Sequence, residues 1–206
     1  MMRLWLGMFF LAMITAFPAF AEEYTYAPEG CDFIMTFPEE PRATQRCHDK
    51  VSDKCTLMTS FTKVYDMDAA INIYVSCKPT ETDLRGQFTP DARRTSLLAR
   101  PGVDTLEVYD VTHSENEKAV MSALLGAGPT PSGKDVMVYV TQLWVSKSSV
   151  FTMEAELIGH DISEADKLFS DILGSLHHKD LKPENPNEKS EETEAEPDTQ
   201  PEAKKE

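Results

Sequence analysis

Residues 135–176 constrain this chain more than any other stretch. They read as a strand (DVMVYVTQLWV), a tight reversal (SKSS), a second strand (VFTMEAELI) and an amphipathic helix (SEADKLFSDILGSL). The first strand is apolar on both faces, with Val136, Val138, Val140 and Trp144 on one and Met137, Tyr139, Leu143 and Val145 on the other. Such a strand belongs inside a sheet, covered from both sides. In the second, Phe151, Met153, Ala155 and Leu157 point one way, while Thr152, Glu154 and Glu156 point the other. Ala165, Leu168, Phe169, Ile172 and Leu176 recur at helical spacing and form a buried stripe. Ser163 is the expected cap, with Asp166 three residues on. A hairpin with a helix laid across it is the smallest unit here that builds a two-layer core.

The two ends stand apart from this unit. Residues 1–21 (MMRLWLGMFFLAMITAFPAFA) have one basic residue, Arg3, an apolar run over 4–17, Pro18 and then Ala19-Phe20-Ala21. That order is a secretory signal peptide, with cleavage expected between Ala21 and Glu22. The apolar run is shorter than the ~20 residues of a spanning helix, so no membrane span is expected after cleavage. Residues 182–206 hold no large apolar side chain and carry nine acids against four lysines. They cannot bury enough surface to offset their ordering entropy and are expected to form a disordered acidic tail. Residues 22–181 are the length of one domain. The formal net charge of −15 argues against nucleic acid and anionic membranes as partners.

Four cysteines, Cys31, Cys47, Cys55 and Cys77, fall in the first half of that domain. An even count behind a signal peptide implies two disulfides and three possible connectivities. If residues 57–64 and 70–77 form a hairpin, Cys55 and Cys77 meet at its open end, which favours Cys55–Cys77 with Cys31–Cys47. Zinc is the rival reading of Cys47-His48 and Cys55, but no C-x-x-C pair is present. Residues 31–37 (CDFIMTF) alternate as a strand with Phe33, Met35 and Phe37 on one face, and Pro38 ends it. Residues 38–54 are polar and without clear period.

Thr89 is placed to cap a mid-chain helix over 91–99, with Pro90 in its first turn and Pro101-Gly102 after its end. Arg93, Arg94 and Arg100 make it the one basic cluster on an acidic chain. Most simply they are a solvated face; Arg93 and Arg94 are also the candidate contacts for an anionic ligand. Residues 103–112 alternate as a strand and 119–125 read as another. The loop 126–133 (GAGPTPSG) ends in Gly-Lys but lacks the phosphate-loop order. As a surface loop between strands it is a reasonable place to look for function. His177 and His178 are expected at the end of the last helix, where its dipole favours cations.

The motifs of common catalytic centres are missing: G-x-S-x-G, H-E-x-x-H, C-x-x-C and G-x-G-x-x-G do not occur. His113, Ser114 and Glu115 are adjacent on an extended chain and so point in different directions. No catalytic, metal or cofactor site is expected.

The phenylalanine strand running into Pro38, a strand pair, a mid-chain helix and further strands resemble the PsbP/Mog1-like fold. Residues 151–155 (FTMEA), followed by a helix ending 172–176 (ILGSL), extend the likeness. The resemblance implies an antiparallel sheet flanked by helices and an accessory or assembly role without enzymatic activity. It carries over no functional residue, and the four cysteines depart from it. The expected fold is therefore α+β, an antiparallel sheet of six or seven strands flanked by a mid-chain and a C-terminal helix. The expected protein is an exported, periplasmic or secreted, non-catalytic accessory that binds another envelope protein. The alternative is a small-ligand or metal-binding protein using a pocket between the sheet and the central helix.

Overall fold

The computed structural model describes residues 23–47, 55–66, 68–130 and 132–181. The cleavage point at Ala21 and Glu22, the tail 182–206 and His48 lie outside them. Among the described residues the chain begins with β1 (Tyr24–Tyr26) and β2 (Phe33–Phe37), then β3 (Arg42–Cys47), β4 (Cys55–Tyr65) and β5 (Ala69–Pro79). Helix α1 (Pro90–Leu98) and a 3₁₀ turn (Val103–Thr105) follow. Then come β6 (Glu107–Glu115), β7 (Ala119–Pro129), β8 (Val136–Ser146), β9 (Ser149–Gly159), helix α2 (Ser163–Gly174) and the two-residue β10 (His177–His178).

Strands β3 to β9 form one antiparallel sheet in the order β3-β4-β5-β9-β8-β7-β6. The hairpin β8–β9 supplies two of its internal strands, as the apolar character of both faces of β8 requires. A second sheet, β1-β2-β10, lies on one side. The α+β class read from the sequence stands, with this small sheet added.

Alternation decides what covers each face. On the first face Ile71, Ile73 and Val75 stand opposite Leu157, Ala155 and Met153, and the first three together with Ala155 and Met153 are fully buried. Phe33, Met35 and Phe37 of β2 close over them, joined by Ala165, Phe169 and Ile172 of α2. Burying a side chain of this size stabilises by about 1.5–3 kcal/mol, so this layer is the chief apolar contribution. On the second face Leu124, Tyr139, Leu143 and Val145 pack with Leu97 of α1 and Val103 of the 3₁₀ turn. Helix α1 rests on β7 and β8.

Several expectations are corrected. The disulfide is Cys31–Cys77, with Cα atoms 6.0 Å apart. Cys77 stands opposite Phe151 on β9, on the face that β2 covers, and Cys31 immediately precedes β2. Paired positions of β4 and β5 run only from Tyr65↔Ala69 to Thr59↔Val75; beyond that β4 continues beside β3, where Cys47 and Cys55 are register partners. The pairings Cys55–Cys77 and Cys31–Cys47 are thereby excluded. Ser163 does not cap α2: Ile162 holds the cap position without a side-chain bond. Residues 103–105 form a 3₁₀ turn, so the strand there starts at Glu107. Gly126–Pro129 belongs to β7 and not to a loop. His177 and His178 pair with β2 beyond the helix, and His178 is buried.

Candidate functional site

Where α1 ends, the chain does not leave the sheet. Thr89 Oγ1 accepts from Ala92 N–H at 3.3 Å to start the helix, and Ala99 closes it. Gly102, at φ 87°, turns the chain into the 3₁₀ segment, a left-handed conformation that glycine adopts without steric cost. Thr105 to Glu107 then presses onto β7. It can do so because β7 carries glycines there: a Cβ on Gly126 would lie 2.9 Å from the Glu107 carbonyl oxygen, and one on Gly128 2.9 Å from Leu106 Cδ2. The segment becomes a roof, and beneath it lies a cavity of about 520 Å³, within the size range of small-ligand sites.

The walls are largely apolar, from Pro101, Leu106 and Pro129, and the floor is Met137 and Tyr139 of β8 with Glu156 of β9. Two threonines also line it, but their hydroxyls are committed. Thr105 Oγ1 donates to the Gly102 carbonyl at 2.7 Å, and Thr130 Oγ1 is 2.9 Å from Ser132 Oγ.

Tyr139 differs from them. It is 3 % exposed, and among the described residues its buried hydroxyl has no well-formed hydrogen bond, although Thr141 acts on it from the same face. Burial raises its pKa above the ordinary phenol value, and the Glu154 carboxylate adds to this. The phenol is therefore neutral at any physiological pH and can donate or accept one hydrogen bond. Leaving such a group unsatisfied costs about 1–3 kcal/mol.

Glu156 is the register partner of Tyr139 and so shares its face. Its Oε2 accepts from Asn72 Nδ2 at 3.2 Å, and Asn72 Oδ1 accepts from Thr62 Oγ1 at 3.1 Å. This polar line runs from the cavity across β9, β5 and β4, beyond the strands on which α1 rests. One residue back on the same face, Glu154 pairs with Arg100 at 3.1 Å.

Arg93 and Arg94, the candidate anion contacts named from the sequence, do not line this cavity. Arg93 is 2 % exposed; its Nε donates to Ser122 Oγ at 2.8 Å and Nη1 to the Phe88 carbonyl at 2.9 Å. It ties α1 to β7. Arg94, one position on and so about 100° around the helix, faces solvent. His113 Nδ1 lies 2.6 Å from Ser122 Oγ, its cross-strand partner. Ser122 is fully buried, so this pair cannot offer a nucleophile to a substrate outside. Among the described residues no group of three or more His, Cys, Asp or Glu is placed to hold a metal.

A second polar cluster, at the opposite end of β8, fastens the two sheets together. Asp32, 6 % exposed, accepts from Ser146 Oγ at 2.6 Å, from Ser148 and from Lys179 Nζ at 2.8 Å. Burial works to raise its pKa, but the bonds from Lys179 and the serines outweigh it and hold the carboxyl well below the usual range. The cluster is closed, with every partner supplied by the chain, which marks a fastening and not a site.

Sequence reasoning missed Tyr139, Glu156 and Leu106 as cavity residues. A signal existed in Glu154 and Glu156, two acids on one face of an internal strand. Which strand stands beside them, and that β7 is glycine-bearing where the roof crosses it, depends on register.

No family model matches the chain, and no curated protein matches it. Among solved structures, the chain is similar to LpqN of Mycobacterium tuberculosis, described as involved in cell envelope biogenesis. The identity is 13 %, over 75 % of this chain and 86 % of that one, with a TM-score of 0.37. A likeness at that level carries no functional argument, and the PsbP/Mog1-like resemblance is not confirmed by it.

Proposed function

We propose that this chain is an exported, non-catalytic binding domain that holds a small, mainly apolar molecule in the cavity roofed by residues 101–106. One observation carries the reading: Pro101, Leu106, Pro129 and Met137 wall a space of about 520 Å³ that also takes in the Glu156 side chain. Convergent polar atoms in an otherwise apolar concavity are the usual form of a small-molecule site. Export is supported by the leader-like order of residues 1–21 and by the Cys31–Cys77 disulfide, a bond that persists in oxidising compartments. An accessory role in the cell envelope is the setting that agrees with both.

Docking of a partner protein is the second reading, and it has an observation of its own. Tyr109 and Val136 are 59 % and 64 % exposed and line one shallow depression at the β6 end of the sheet.

The test is native mass spectrometry of the mature protein recovered from its own envelope, beside a Leu106→Trp variant that fills the cavity. A protein mass beginning at Glu22 with a bound small molecule, lost in the variant, is the expected result. Ligand-free protein that also shows no thermal shift with an apolar probe such as N-phenyl-1-naphthylamine contradicts the cavity reading.

A further inference from the structure

A second pocket, of about 360 Å³, opens at the start of α1 and shares no lining residue with the cavity under residues 101–106. Arg93 lines it and is 2 % exposed; arginine is almost never buried to that degree unless paired. Yet its charge meets only neutral acceptors, Ser122 Oγ at Nε and the Phe88 carbonyl at Nη1. Among the described residues no carboxylate lies within ion-pair distance of it. Its remaining nitrogen, Nη2, has no hydrogen bond among them and, unlike the Tyr139 hydroxyl, is not closed in. Thr89 and Pro90, which begin α1, line the same pocket, so the positive end of the helix dipole adds to the guanidinium. Arg85, also at this pocket, is already neutralised by Asp83 at 2.6 Å and by the Glu117 carbonyl at 2.9 Å. Glu115, on the β6 side, lies in the field of Arg85 but forms no ion pair among the described residues. One small pocket thus holds a cation and an anion that do not pair with each other.

We infer that this pocket binds small zwitterions of the α-amino-acid type, the carboxylate accepting from Arg93 Nη2 and the ammonium donating to Glu115. Both contacts are charge-assisted, the strong class of hydrogen bond. A carboxylate accepts at both oxygens and an ammonium offers three donors, so each end of the ligand suits the group it meets. Phe88 and Val120, in the same lining, give an aliphatic side chain an apolar surface. A simple carboxylate would leave Glu115 facing like charge, and a simple amine would leave Arg93 in that position, an arrangement that binding sites use to reject a ligand. Arg93 therefore has two roles: Nε and Nη1 hold α1 to β7, and Nη2 is left for the ligand.

The experiment titrates the full mature chain at pH 7 with leucine, 4-methylpentanoate and leucinamide, which share a carbon skeleton and differ in charge. Calorimetry should show leucine binding at one per chain and about tenfold or more tighter than either of the others. In Glu115→Gln the advantage of leucine over 4-methylpentanoate should shrink to about twofold or less, because the partner of the ammonium has lost its charge. Gly86→Trp blocks the pocket from an exposed position where an added Cβ meets nothing within 4 Å, so it should fold normally and lose leucine binding. Because Arg93 also holds α1, its part is read without substitution, from the ¹⁵N shift of its guanidinium, which should move on leucine addition. Absence of saturable leucine binding by about 10 mM, or binding that persists in Gly86→Trp, overturns the site. Binding of 4-methylpentanoate as tight as leucine, a preference that survives Glu115→Gln, or an unmoved Arg93 signal overturns the zwitterion assignment.

Discussion

Tyr139 and Glu156 stand directly opposite each other on β8 and β9, and the tyrosine hydroxyl in that pair has no hydrogen-bond partner among the described residues. In the unliganded protein this is a cost. Tyr139→Phe removes the unsatisfied group and keeps the ring, so urea denaturation should show stability unchanged or raised by up to about 1 kcal/mol. A loss of stability above about 1 kcal/mol would mean that the hydroxyl is satisfied within the chain.

Arg93 and Arg94 give a sharper contrast, since the sequence treats them alike. Arg93 bridges α1 to β7 through Ser122 and the Phe88 carbonyl, and its removal leaves buried partners unmatched. Arg93→Ala should cost about 2–4 kcal/mol, while Arg94→Ala on the solvent face should stay within about 0.5 kcal/mol. Equal effects in thermal unfolding would contradict the placement of α1.

The disulfide map is open to direct chemistry. Non-reducing proteolysis and mass spectrometry should recover Cys31 linked to Cys77. Replacing Cys31 and Cys77 by serine should cost about 2–5 kcal/mol. A peptide joining Cys55 to Cys77 would contradict the register of the sheet.

Acid should act on the fastening between the sheets in two steps. Burial lowers the pKa of His178, and its Nδ1 accepts from the Asp180 N–H at 3.2 Å. The folded state thus binds its proton less well than the unfolded chain, and stability falls as pH drops below the ordinary imidazole value of about 6.5. Asp32 is likewise depressed. Its contribution is complete above the unfolded carboxyl value of about 4 and is lost as pH falls further, toward the folded value. Denaturation measured from pH 7.5 to 3 should show both declines. Asp32→Asn should flatten the lower one, and His178→Phe the upper. An upper decline that survives His178→Phe would place its origin elsewhere.

The elements were legible in the residues wherever one period dominated. The alternation of β2 and β9 and the stripe Ala165, Phe169 and Ile172 of α2 all reappear as buried core, and Thr89 caps α1 as its residue type suggests. What stayed hidden depends on register and on distant neighbours. Cys77 bonds Cys31 because β5 lies against β9 and under β2, an arrangement no local pattern encodes. Gly126 and Gly128 look like loop residues, yet they lie in β7 because another segment crosses them. The cavity inherits that limit: its floor and its roof come from segments distant in the chain, brought together only by the strand order.

The most direct measurement is a ¹H–¹⁵N and methyl NMR titration of the mature chain with N-phenyl-1-naphthylamine. Shifts confined to residues 101–106, Met137, Tyr139 and Glu156, saturating at one probe per chain, would place the binding site in the cavity. Shifts centred instead on Tyr109 and Val136, with the cavity residues unmoved, would contradict it.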